Sequence, residues 1–171
     1  MISRTIPFAI ALLFAFASGP VQAQQPPARM SADDVAKIKV AVTGVVTAYG
    51  RYYTERNAKA VVENVFASPS YSVSGGGVTL NDPAKQVAQT EANMKRMAET
   101  GWVKSELPNP KVCVLNASAA VASGTYYRYR ADGSEHSRGS ETFVLGKTAS
   151  GWRVVTIMFH EAPDKAMTCN E

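Results

Sequence analysis

At 171 residues the chain has room for one domain with a sizeable core, and 46% apolar with 19% charged residues is the make-up of an ordinary globular protein. A formal charge of +4 is mild, and the basic residues are scattered. Tyr127-Arg128-Tyr129-Arg130 comes nearest to a cluster, but strand alternation sends its tyrosines to one face and its arginines to the other. No basic stripe with interleaved aromatics results, so no nucleic-acid surface is expected.

Residues 1–23 have the make-up of a secretory signal. Arg4 supplies the positive start, Phe8 to Ala17 the apolar run, and Val21-Gln-Ala23 the small residue that precedes cleavage. The run is short for a bilayer span, and a retained N-terminal anchor is the second reading. Cleavage after Ala23 implies a periplasmic or secreted protein with no membrane attachment afterwards. Export in turn makes an intramolecular Cys113–Cys169 disulfide the expected state of the two cysteines, against two unpaired thiols. Two histidines and two cysteines without ligand spacing predict no metal site.

Residues 24–30, with Pro26-Pro27, read as a disordered lead-in. Ser31 then looks like a helix cap with Asp33 and Asp34 in the first turn. Val35, Ile38, Val42, Val45, Tyr49 and Tyr52 follow at spacings of three and four, which predicts one long amphipathic helix to about Arg56. A short helix is expected over Ala58 to Phe66, stopped by Ser68-Pro69. Tyr71-Ser-Val73 and Val78-Thr-Leu80 flank Gly75-Gly-Gly77 and read as a hairpin. No Lys-Ser/Thr follows those glycines, so they are turn residues and no phosphate-bearing cofactor is expected.

Asp82-Pro83 starts a third helix, with Val87, Thr90, Met94 and Met97 as its buried stripe and Gly101 at its end. From Trp102 onward the chain reads as strand: Trp102 to Leu107, a Pro108/Pro110 kink, Lys111 to Leu115 and Ala119 to Arg130. A loop over Ala131 to Ser137 leads to Arg138 to Lys147 and then Trp152 to Glu161. Alternation along the last strand places Trp152, Val154, Thr156, Met158 and His160 on one face and Arg153, Val155, Ile157, Phe159 and Glu161 on the other. Helices first and an antiparallel meander after them make the class α+β.

A long helix, a short one, a hairpin, a third helix and strands ending in Gly151-Trp152-Arg-Val-Val155 resemble the nuclear transport factor 2-like superfamily. Within it the chain is similar to SnoaL-like proteins and exported relatives of unknown function, over about Ala32 to Ala162. The resemblance implies one domain over 31–162 and a short tail over 163–171. Its fold would be a cone-shaped α+β barrel, a curved antiparallel sheet wrapped around the long N-terminal helix and two shorter ones. The concave side of such a sheet makes a pocket, and the convex side commonly makes a homodimer. Trp152, Val154 and Met158, joined by Val144 and Tyr127, are the expected dimer face.

Glu141-Thr-Phe-Val144 ahead of Trp152 also resembles the association domain of calcium/calmodulin-dependent kinase. That resemblance implies a concave position for Glu141, Phe143 and Leu145, for Tyr126, Arg128 and Arg130, and for Val155, Ile157 and Phe159. The expected pocket is mostly apolar, bounded by Tyr52 or Tyr53, Val87, Met94, Trp102, Tyr126, Phe143, Val155, Ile157 and Phe159. Its polar groups are Arg128, Glu141 and a tyrosine hydroxyl. Arg128 and Glu141 either form a structural ion pair or hold and activate a ligand. Superfamily enzymes carry a pocket aspartate, which no late strand supplies here. The expected function is therefore an exported small-molecule-binding or assembly domain for a small hydrophobic ligand, with an isomerase, dehydratase or cyclase as the alternative.

Overall fold

The computed structural model describes residues 29–164 and Cys169. The signal, most of the lead-in and most of the tail anticipated above lie outside the described residues. Helix α1 (Ala32–Thr54) begins where expected: Ser31 Oγ accepts the Asp34 N–H at 3.1 Å, and Asp33 and Asp34 sit at the positive end of the helix dipole. Its buried face is Val42, Val46 and Tyr49. Helix α2 (Ala58–Asn64) is capped by Asn57, and α3 (Pro83–Glu99) by Asp82, whose carboxylate accepts the Ala84 N–H at 2.9 Å. Among the described residues no helix is long and apolar enough to cross a membrane.

α2 stops short of the expected Phe66 because Val65 and Phe66 join the sheet. The Val154 N–H donates to the Val65 carbonyl at 2.8 Å, and Phe66 opens β1 (Phe66–Ser74) parallel to the last strand. The sheet is therefore mixed rather than wholly antiparallel. Its remaining strands are β2 (Gly77–Asn81), β3 (Lys104–Glu106), β4 (Lys111–Asn116), β5 (Ala119–Tyr129), β6 (Glu135–Thr148) and β7 (Gly151–His160). The order is β2-β1-β7-β6-β5-β3, with β4 also paired to β5. β3 and β4 are thus two halves of one edge, broken at Leu107 to Pro110 where the two prolines remove ladder donors. Beside that edge, the Thr54 hydroxyl of α1 accepts the Ser105 N–H at 3.1 Å.

A β-bulge corrects the expected faces of β7. Val144 pairs with Thr156 but Leu145 pairs with Val154, so Val155 is the extra residue and alternation resets there. Trp152 and Val154 consequently share the inner face with Phe143, Leu145 and Ile157, and all five are buried in the core with Val42, Val46 and Tyr49. Neither belongs to an outer dimer face. Val155 turns outward, where a Cβ on outward-facing Gly146 would come within 3.2 Å of its methyl. It does not line the concave side.

The outer face of the sheet is polar at its centre. A chain of hydrogen bonds runs from His160 to Thr142 (3.0 Å), to Ser123 (2.8 Å), to the Asp164 carboxylate (2.8 Å), and the Asp164 N–H donates to Thr125 at 3.0 Å. The segment after β7 therefore lies against β5 and β6. Farther along, Cys169 forms the expected disulfide with Cys113 on β4.

Candidate functional site

The inner face is organised around Glu141. Register places Gly124 of β5 and Phe159 of β7 on either side of it, and Tyr126 opposite Gly139 one row away. Two glycines make room here. A Cβ on Gly139 would fall 2.5 Å from the Tyr126 hydroxyl oxygen, so the Tyr126 ring lies across that bare backbone. A Cβ on Gly124 would approach Leu107 Cδ1 to 3.2 Å, so Leu107 closes over β5 from the broken edge. Helix α1 supplies the opposite wall. Tyr49 and Tyr53, one helical turn apart, have ring centroids 4.8 Å from each other, and Tyr49 meets Phe143 edge-on at 5.6 Å.

These groups enclose a chamber of about 20 Å³, bounded by Tyr49, Tyr53, Tyr126, Arg128 and Glu141 and closed by Gly50, Ser105, Glu106 and Leu107. That is room for roughly one water-sized group. The four closing residues also border a wider groove of about 530 Å³ between α1 and β3, which continues over Val46, Thr47, Thr54 and Pro108. Chamber and groove share one wall.

Burial sets the protonation states. Glu141 is 3% exposed, and desolvation pushes its carboxyl up to about 7 against the opposing pull of Arg128. Burial also raises Tyr49 well above the ordinary phenol range, with Tyr53 and Glu141 adding to it. Tyr53 is raised by burial too, offset by hydrogen bonds with Asn93 and Tyr49. Near neutrality the chamber therefore presents phenol O–H groups and a carboxyl poised between its two forms. The Arg128 guanidinium stacks on the Tyr126 ring at 4.4 Å; among the described residues no ion pair within 4.0 Å joins it to Glu141, so the first of the two roles expected for that pair, a structural ion pair, is not formed. Protonated, Glu141 donates a hydrogen bond; ionised, it accepts a proton.

Of the residues singled out from the sequence, Tyr53, Tyr126, Arg128 and Glu141 border the chamber. Trp102, Phe143 and Ile157 are buried core behind it, with Trp102 Nε1–H donating to Ser105 Oγ at 3.0 Å. Met94 is core as well, and Val87 packs against it. Tyr52 lies apart, under the Arg51 guanidinium at 4.7 Å, and Phe159 is 38% exposed at the rim of the inner face. Tyr49 and Leu107 were not anticipated. The i, i+4 spacing of Tyr49 and Tyr53 carried the signal for the first; Leu107 reaches the site only through the edge break. No group of three or more His, Cys, Asp or Glu among the described residues could hold a metal.

A family model described as "NTF2-like protein (DUF6841)" matches residues 36–162. A search of curated proteins finds no match. Among solved structures, an NTF2-like protein with a cystatin-like fold from Novosphingobium aromaticivorans is similar with a TM-score of 0.64 at 16% identity, covering 77% of this chain and 86% of that one. An NTF2-like superfamily protein from Salmonella enterica serovar Typhimurium gives 0.57 at 19% identity, covering 80% and 99%. A putative calcium/calmodulin-dependent protein kinase II association domain from Xanthomonas campestris gives 0.54 at 17%, covering 81% and 92%. At these identities the likeness is one of fold.

Proposed function

The chain belongs to the NTF2-like protein family, and from that premise we propose that it is an exported binding domain for a small, mostly apolar molecule whose single polar oxygen enters the chamber at Glu141. The observation that carries this reading is a buried carboxyl, unpaired by any cation within 4.0 Å among the described residues, at the inner end of a tyrosine-lined chamber. A buried carboxyl with no counter-charge in ion-pair reach is costly to ionise, and a ligand oxygen that hydrogen-bonds to it stabilises the form it holds. The groove outside is of the size that takes a small organic body. The Cys113–Cys169 disulfide supports export, since such bonds persist in oxidising compartments.

A second reading rests on the same carboxyl. An acid poised near 7 is suited to move a proton between ligand atoms, which is the work of an isomerase or dehydratase. Glu141→Gln keeps a hydrogen-bond donor and removes the titration, so it separates the two. Binding that survives the change, with no turnover in wild type, assigns a holding role; turnover in wild type that disappears with binding intact assigns a catalytic one.

The test is a melting-temperature and calorimetric panel of cyclic ketones and phenols, their parent hydrocarbons, and matched carboxylates. Ketones and phenols should raise the Tm and hydrocarbons should raise it much less. The ketone gain should fade in wild type from about pH 5.5 to about pH 8.5, as Glu141 loses the proton it donates, and persist in Glu141→Gln; phenols, which also donate, should keep theirs. No shift from any member at any pH overturns the proposal.

A further inference from the structure

The β1–β2 hairpin has its polarity reversed. Register puts Ser70 with Asn81 and Ser72 with Thr79 on the face turned toward the helices, where Asn81 Nδ2 donates to Ser70 and Ser72 Oγ at 3.2 and 3.0 Å. Tyr71 with Leu80, and Val73 with Val78, lie on the outer face, level with Thr156 and Met158 of β7. Tyr71 is 41% exposed, Leu80 58% and Val78 70%. A sheet that faces water on one side normally shows it the polar set.

Among the described residues the edge is also unguarded. β2 ends the strand order, and from Asn64 to Asn81 the chain carries no Asp, Glu, Lys or Arg. The opposite edge has the usual protections: a helix hydroxyl on Ser105, a break between β3 and β4, and Pro108 and Pro110 in that break.

We propose that β2 pairs antiparallel with β2 of a second copy of this chain, centred on Thr79, to make one continuous sheet. Self-complementarity selects the occupant. About Thr79 an antiparallel copy sets Val78 opposite Leu80 and Gly77 opposite Asn81, so apolar meets apolar on the outer face and no like charges meet. The outer face then carries two rows, each Tyr71–Leu80–Val78–Val73 across the two copies. This interface lies at the far edge of the sheet from the broken β3–β4 edge that borders the chamber, so it stands or falls independently of ligand binding.

The test is light scattering of the purified mature chain at tens of micromolar, with three variants. Wild type should be a dimer. Thr79→Lys and Leu80→Lys should be monomers with unchanged circular dichroism. Thr79→Cys should give a linked dimer on a non-reducing gel that dithiothreitol separates. A monomeric wild type overturns the proposal, including the case in which β2 instead captures a strand of a different protein. So does a dimer that withstands Thr79→Lys and yields only to Met158→Lys, which assigns contact to the sheet face.

Discussion

Glu141 and Thr142 are consecutive residues of β6, both buried, and they meet opposite fates. Thr142 points outward into a continuous hydrogen-bond chain from His160 through Ser123 to Asp164. Glu141 points inward to a chamber where burial raises its pKa to about 7 and no cation approaches within ion-pair distance among the described residues. The outer group is satisfied by its own fold and is explained by stability alone. The inner one is costly to ionise and has no counter-charge within ion-pair distance among the described residues, which is where a ligand has something to contribute.

The largest effect separates the faces of β7. Val154→Glu buries a charge at a fully buried core position and should cost on the order of 4 kcal/mol or more in urea unfolding. Thr156→Glu, two residues on but outward, should cost about 1 kcal/mol or less. Replacing Cys113 and Cys169 together by serine should remove about 2–4 kcal/mol, because the bridge spans 56 residues, while the Glu141 titration stays put.

Glu141 itself should couple stability to pH. Its folded pKa is raised, so the native state holds the proton longer than the unfolded chain does. The stabilising effect of that proton is complete below the unfolded value near 4.5, falls as pH rises toward 7, and is gone above it. Glu141→Gln should therefore match wild type near pH 4.5 and exceed it by about 3 kcal/mol near pH 8.5, read from denaturant midpoints. Ser123→Ala should be a small change of about 1 kcal/mol, because it breaks a satisfied chain on the outer face and leaves the Glu141 side chain in place.

The long helices were legible because caps and periodicity are local: Ser31 and Asp82 each begin a helix with a side-chain acceptor, as Asn57 also does for the short one. The concave placement of Arg128, Glu141 and Phe143 followed from alternation combined with a family resemblance. Alternation failed at Val155 because Val154 and Val155 are both apolar, so an inserted residue leaves no mark on the pattern. The parallel pairing of β1 with β7 joins residues about 90 apart, which no local signal reports. Tyr52 was a candidate because it continues the helix stripe, yet a turn of α1 sets Tyr49 and Tyr53 over Glu141 and Tyr52 beside Arg51. Charge complementarity left Arg128 either paired with Glu141 or free to hold a ligand, and no alternation pattern reports the flat Tyr126 ring on which the guanidinium settles.

The central claim is that Glu141 is a poised, unpaired acid facing a ligand chamber. Carbon-detected NMR of the glutamate side-chain carboxyls, titrated in wild type and in Glu141→Gln, tests it most directly. One carboxyl should titrate near 7 and be missing from the variant; if every glutamate of the wild type titrates below about 5, the acid is paired or solvated and the account of the chamber is wrong.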